Sequence, residues 1–266
     1  MSATADLAKE GVVQYRWKGK DRLDFIPEVD PHPWIGQSLN VQFDGQINCV
    51  VSGKQIRKTY GEGMSYETWR NAPQAVESVF NPELSRIHEG VALRDKEWEE
   101  KHHNQPHIVY ISLTSGLKVG VTRSTNIPSR WIDQGAVGAI VVANTPYRQL
   151  AGELEVALKP HMADKTNFRK MLSDISFDSG RLVEARESAF DHLGEAYESF
   201  FEEGLSAAEI RYPVLEYPEK VTSIRLDKVP SFSGVLQGIK GQYLIFDKNR
   251  VLNVRSHAGY RVKISV

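Results

Sequence analysis

Two strongly β-prone runs separated by three turn-forming residues constrain this chain more than any other feature. His107–Leu113 (HIVYISL) and Leu117–Thr122 (LKVGVT) flank Thr114-Ser115-Gly116. β-Branched and aromatic residues fill the runs, and Ser and Gly favour the turn, so the stretch reads as a β-hairpin. Asn126 and Pro128 then open a short helix over 129–134, with Pro near its first turn, and Gly135 ends it. Val137–Ala143 (VGAIVVA) is apolar throughout, as a central strand is. Over 147–159, Leu150, Leu154, Ala157 and Leu158 form the apolar face of a second helix, which Pro160 should end or kink. The order predicted for 106–172 is β-β-α-β-α.

The flanking sequence is less regular. Residues 12–18 and 39–43 alternate as strands do, and Pro27, Pro31 and Pro33 interrupt the stretch between them. Residues 46–105 are polar and aperiodic, closing on the charged, helix-compatible run 96–103. After the central module, 181–203 reads as the longest helix, with Leu182, Ala185, Ala189, Leu193, Ala196 and Phe200 on one face and Gly204 as its stop. Strands are predicted at 221–226, 231–237, 242–246, 251–255 and 260–266, with Asp247-Lys248-Asn249 as a hairpin turn. Five short strands with tight turns suggest a small antiparallel barrel or rolled sheet. The expected fold class is α+β. It has an irregular N-terminal segment (1–105), the β-β-α-β-α core (106–172), a long helix (173–205) and a C-terminal antiparallel β-domain (206–266).

Charge separates these segments. The whole chain carries a formal −1, so no global basic field points to a polyanion. Residues 106–172 hold eight Lys/Arg against four Asp/Glu, a net +4. Residues 173–205 hold two against nine, a net −7, and 206–266 hold ten against five, a net +5. The acidic helix reads either as a solvated face or as a shield or protein-contact surface beside a polyanion site. No run approaches the ~20 apolar residues of a membrane span, so no membrane partner is expected. The opening MSATADLAKEG has no basic stretch followed by an apolar one. The lone Cys49 excludes an intramolecular disulfide, and a cytoplasmic location is expected.

The residues of 106–172 resemble the core of the GIY-YIG nucleases. HIVYI is similar to that family's first strand, with Tyr110 at the tyrosine of GIY. LKVGVT is similar to its second, with Lys118-Val119-Gly120 where some members carry KIG in place of YIG. Arg130 falls at the first-helix arginine and Glu155 at the metal-binding glutamate, followed by Leu158-Lys159. Asn167-Phe168-Arg169 lies near an aromatic closing motif. Most of 35–266 also resembles an uncharacterised bacterial family, through GLKVGVTR, PSRWIDQGA, EVALKPHMADKTNFRKML and GIKGQYLIFDKNRVLNVRSHAGY. Those relatives carry a cysteine-rich, zinc-ribbon-like segment where 46–103 lies. Here Cys49 remains, and the other aligned positions hold Ser52, Ser65, Thr68, Ala75, Ser78, Ser85, Leu93 and His103. Structural zinc needs four N or S ligands, so no zinc is expected.

The nuclease resemblance implies a site for phosphodiester hydrolysis. Glu155 would hold Mg²⁺ or Mn²⁺, with water and substrate phosphate completing the shell. Arg130 would clamp the scissile phosphate. Tyr110 would orient or deprotonate the attacking water, which needs its pKa lowered, and Lys118 or Arg123 would supply the charge to do so. Lys118, Arg123 and Lys159 are the candidate phosphate contacts. The implied partner is DNA or RNA; the alternative is a non-catalytic nucleic-acid or protein adaptor on the same fold. Each residue also has a plainer role: Tyr110 as packing, Arg130 paired with Asp133 at i,i+3, Glu155 as a surface helical residue. Glu153 lies on a different helix face from Glu155. His102, His103 and His107 are neighbours in sequence that point apart. Lys240, Tyr243, Arg250, Arg255, Tyr260 and Arg261 mix basic and aromatic side chains, as either an oligonucleotide-binding face or a charged barrel exterior does.

Overall fold

The computed structural model describes residues 2–7, 11–20, 25–162, 166–202, 204 and 206–266. Residues 163–165 of the ADKTNFRKML string, and 203 and 205 at the predicted end of the long helix, lie outside the described residues. The fold is mixed α+β. In chain order its elements are β1 (Ser2–Leu7), β2 (Val13–Lys20), β3 (Phe25–Val29), β4 (Ser38–Asn48), β5 (Gln55–Ile56), α1 (Tyr66–Asn71), α2 (Lys96–His103), β6 (His107–Leu113) and β7 (Leu117–Arg123). There follow α3 (Ser129–Asp133), β8 (Gly138–Thr145), α4 (Arg148–Leu158), α5 (Phe168–Met171), α6 (Ser179–Leu193), β9 (Ala208–Glu209), β10 (Thr222–Ile224), β11 (Ser231–Lys240), β12 (Tyr243–Phe246), β13 (Arg250–Asn253) and β14 (Tyr260–Ser265). None of the described helices is long and apolar enough to cross a membrane.

The chain divides into two compact units. The first combines 1–71, 172–174 and 211–266. It holds an antiparallel β1-β2-β3 sheet and a larger sheet of order β10-β13-β12-β11-β4-β14, with β5 paired to β4. The C-terminal strands therefore do not form a sheet by themselves. The N-terminal β4 is inserted between β11 and β14, and β10 runs parallel to β13. Strand β4 alternates exposed and buried positions, with Leu39 and Val41 fully buried, as a strand with one face on a core does. The turn at Asp247-Lys248-Asn249 is as predicted: Lys248 and Asn249 have φ of 56° and 62°, the left-handed pair of a tight hairpin.

In this unit Cys49, Ser52, Ser65 and Thr68 meet. The Ser52 backbone N–H donates to Cys49 Sγ at 3.4 Å, and the thiol reaches Thr68 Oγ1 at 3.6 Å. Ser65 Oγ bonds Thr68 Oγ1 at 2.8 Å. Burial alone would push the Cys49 thiol up, but hydrogen bonds from Ser52, Ser65 and Thr68 bring it down to about 6.

The second unit comprises 72–171 and 175–210. Its antiparallel sheet has the order β7-β6-β8-β9, with β6 and β7 paired in register from His107↔Arg123 to Leu113↔Leu117. Val109, Ile111 and Leu113 of β6 join Ile140 and Val142 of β8 in a core closed by Ala151, Leu154 and Leu158 of α4 and by Leu182, Ala185, Ala189 and Leu193 of α6. Each fully buried leucine there contributes roughly 1.5–3 kcal/mol. On α4 the small inward residue is Ala151, whereas Ala157 is exposed. Helix α6 stops at Leu193, well before Gly204. Gly194 takes φ +71°, which a side chain disfavours. The chain then continues as the 3-10 turn Glu195–Phe200, with Ala196 exposed.

Candidate active site

The site begins with a tyrosine fitted over a glycine. Tyr110 lies opposite Gly120 across the β6-β7 hairpin. A Cβ at Gly120 would come within 2.7 Å of the Tyr110 hydroxyl, so only glycine leaves room for the phenol. Tyr110 is 0% exposed, and its ring centroid lies 6.0 Å from that of Trp131 on α3.

Gln134, just after α3, links this phenol to Arg130. Turned to satisfy both neighbours, its amide nitrogen donates to the Tyr110 hydroxyl at 2.9 Å, and its oxygen accepts from Arg130 Nε and Nη2 at 3.3 Å. Burial pushes the Tyr110 pKa up, against the lowering effects of the Arg130 charge, an Arg130 hydrogen bond and a Gln134 hydrogen bond; the Glu155 charge adds to the rise. Tyr110, Arg130 and Glu155 thus share one electrostatic neighbourhood. The expected lowering of the tyrosine is reversed, because desolvating a phenolate in a closed core outweighs one adjacent guanidinium. The Asp133 carboxyl is also raised by burial and lowered by Arg130.

Glu155 lies on a stripe of α4 formed by Arg148, Gly152, Glu155 and Lys159, at helical spacings of four, three and four. Its side chain is 13% exposed, with Lys159 Nζ at 3.6 Å from Oε2. Burial raises its pKa, Lys159 and Arg148 lower it, and Glu83 raises it further. Arg148 is buried and committed to backbone: Nε donates to Ser78 O and Nη2 to Val79 O, both at 2.8 Å. Burial brings its pKa to about 10. A Cβ on Gly152 would overlap the Glu83 backbone nitrogen and lie 2.6 Å from the Pro82 carbonyl carbon. The 3-10 turn Pro82–Leu84 therefore rests directly on the helix. Glu83 Oε2 is buried and has no hydrogen-bond partner among the described residues.

The remaining sequence candidates divide. Lys118 pairs with Ser112, two positions from Tyr110, and so shares its sheet face. Arg123 pairs with His107 on the other face, and its Nη1 donates to His102 Nδ1 at 2.9 Å. Glu153 is exposed. The three histidines are engaged separately: His103 Nδ1 lies 3.4 Å from Ser85 Oγ, and His107 Nδ1 donates to Gln105 O at 2.7 Å. Burial lowers His103 to about 3 and His107 to about 4, with Arg148 and Arg123 adding to the effect. Among the described residues, no group of three or more His, Cys, Asp or Glu is arranged to hold a metal. A magnesium site needs fewer, since one or two carboxylates with water and substrate phosphate suffice.

Gln134, Arg148 and Glu83 were not identified from sequence. The spacing of Arg148, Gly152, Glu155 and Lys159 was the available signal for Arg148. The basic residues of the last strands, in the other unit, are taken up locally. Arg250 pairs with Asp247, Arg255 with Glu62 and Arg261 with Asp44. Lys240 is buried, donates to Ser173 O at 3.2 Å and lies over the Tyr217 and Tyr212 rings.

Residues 36–262 match the family described as protein of unknown function, DUF2797. The chain belongs to that family, in keeping with the resemblance to an uncharacterised family read from its sequence. No curated protein and no solved structure matched it.

Proposed function

We propose that this chain binds DNA or RNA and hydrolyses its phosphodiester bonds with the help of a divalent cation, as a GIY-YIG-like nuclease. The observation that carries this reading is the linkage Tyr110–Gln134–Arg130 with Glu155 acting on the same phenol. Glu155 suits Mg²⁺ or Mn²⁺. It is a hard oxygen donor with part of its side chain still open to solvent, and burial disfavours its unneutralised charge. Bound there, the cation would supply Lewis-acid stabilisation of developing phosphoryl charge. Arg130, held in orientation by Gln134, would present its guanidinium to a phosphate oxygen. Tyr110 stays protonated at neutral pH, so its role is to donate a hydrogen bond and orient an oxygen; it is not the base. Lys159, partly exposed, adds positive charge for the phosphate backbone, whereas Lys118 is buried and adds at most a field from beneath the surface.

One observation favours the adaptor reading: Tyr110 has no exposed surface, and a group that meets substrate needs some. In that reading the fold binds nucleic acid without turnover, or the exposed acids Glu184, Glu187 and Asp191 of α6 meet a protein partner. The test is cleavage of end-labelled single-stranded, duplex and branched DNA and RNA with Mg²⁺ or Mn²⁺. Cleavage should fall at least about 100-fold in Glu155→Gln and in Arg130→Ala, as loss of a transition-state contact does. Cleavage unaffected by both changes removes the nuclease assignment. Salt-sensitive binding without turnover supports the adaptor.

A further inference from the structure

The geometry points to Glu83 as a second acidic side chain of this site, sharing one divalent cation with Glu155. The inference rests on the reading of Glu155 as the cation ligand and adds a residue from outside the hairpin-and-helix module.

Three features of the 76–89 segment support it. First, the backbone of Pro82 and Glu83 is pressed onto α4 at Gly152, where any side chain would collide with it. Glycine in a helix interior costs about 1 kcal/mol relative to alanine, so this close approach is maintained against helix propensity. Gly152 is one turn before Glu155, and the turn seated there delivers Glu83 to Glu155's neighbourhood. Second, Arg148, one turn earlier on the same stripe, binds the carbonyls of Ser78 and Val79 through Nε and Nη2. The nearby guanidinium thus tethers the segment by its backbone. Third, Glu83 Oε2 is closed off from solvent with no hydrogen-bond partner among the described residues. A buried polar atom without a partner costs about 1–3 kcal/mol, and more when charged.

A carboxylate oxygen without a donor, on a turn seated one helical turn from a second carboxylate whose charge it already disfavours, is a position that a shared cation would stabilise. Lys159, 3.6 Å from Glu155 and partly exposed, acts on Glu155; the Arg148 charge is felt by both glutamates, but its Nε and Nη2 are spent on the Ser78 and Val79 carbonyls and give Glu83 Oε2 no hydrogen bond. Two glutamates leave most of an octahedral shell to water and phosphate oxygens, which suits Mg²⁺ or Mn²⁺.

The test is Mn²⁺ uptake by the full-length chain, followed as loss of the free-ion EPR signal, together with metal-free thermal unfolding. Glu83→Gln and Glu155→Gln should each weaken uptake at least tenfold. Metal-free Glu83→Gln should melt close to the wild-type temperature, because the repulsion it removes from Glu155 and the attraction it removes from Arg148 oppose each other. Glu83→Asp, which keeps the charge on a shorter arm, should weaken uptake less. Absence of Mn²⁺ uptake by the wild type overturns the inference. So does wild-type uptake by Glu83→Gln, or a lowered metal-free melting temperature showing that Glu83 is structural. Uptake lost only in Glu155→Gln leaves the nuclease reading standing without Glu83. Uptake that needs both residues, with no cleavage of any nucleic acid, leaves the shared cation site and removes the nuclease.

Discussion

Replacing Gly152 by alanine distinguishes a glycine kept for contact from one merely tolerated. In an open helix the change stabilises by about 1 kcal/mol through helix propensity. Here the added Cβ meets Glu83 N, the Pro82 carbonyl carbon and Glu83 Cα, the last two at 2.6 and 2.8 Å. All three are backbone atoms, so no rotamer change relieves the overlap, and the 82–84 turn must lift. Overpacking of this kind costs about 1–3 kcal/mol. Lifting the turn also strains the two Arg148 bonds to Ser78 and Val79, each of the charged type worth about 1.5–3 kcal/mol. Overpacking less the propensity gain leaves about 0–2 kcal/mol, and partial loss of the Arg148 bonds brings the expected destabilisation to about 1–4 kcal/mol. At about 2–4 °C per kcal/mol for a domain of this size, Tm should fall by several degrees. Urea denaturation gives the free energy, and amide hydrogen exchange should quicken over 78–89. An alanine variant more stable than the wild type would refute the argument, because it would mean the turn does not rest on the helix.

Two further outcomes follow from groups whose protonation or geometry is set by packing. Burial holds His103 and His107 at about 3 and about 4, so as pH falls the unfolded chain takes up their protons first, near its value of about 6.5. Their contribution is intact above about 6.5 and is lost between there and the folded values. The loss is about 2 kcal/mol per histidine by pH 5, and His103→Gln/His107→Gln should flatten the profile measured by denaturation across that range. In the other unit, Ser52→Cys/Ser65→Cys/Thr68→Cys adds three thiols to that of Cys49, and the four should bind one Co²⁺ with thiolate charge-transfer absorption. Absence of that band would show that the four positions do not converge as a tetrahedral set.

What could be read from the sequence was local. The hairpin 107–122 was visible because each strand declares itself by composition and the turn lies between them. Helix α4 was bounded by Pro160, and Asp247-Lys248-Asn249 identified its own turn. The end of α6 was misplaced because Ala196 and Phe200 continue the apolar period past Gly194, and periodicity does not register one glycine's φ. The place of β4 in its sheet depends on partners at 231–235 and 260–265, and nothing in the sequence of a strand names its neighbours. The same limit applies to the site. Tyr110, Arg130 and Glu155 came from resemblance, but Gln134 matters only because it touches a residue 24 positions away. Arg148 binds a carbonyl 70 positions away, and Glu83 lies in a stretch without periodicity.

The stripe on α4 argues that the site belongs to the whole second unit rather than to the 106–172 module. Arg148 anchors the 78–79 backbone, Gly152 seats the 82–84 turn, Glu155 offers its carboxylate and Lys159 balances it, all from one helix face. On the adjoining face, Leu154 and Leu158 enter a core that α6 completes with Leu182, Ala185, Ala189 and Leu193. Without α6, the buried face of β6 and α4 would lie open to water and the orientation of α4 would lose its support. Without 76–89, Arg148 would be left with no partner carbonyls and Glu155 with an open flank. The proposed site therefore depends on segments before and after 106–172 to fix the helix on which its proposed metal ligand stands.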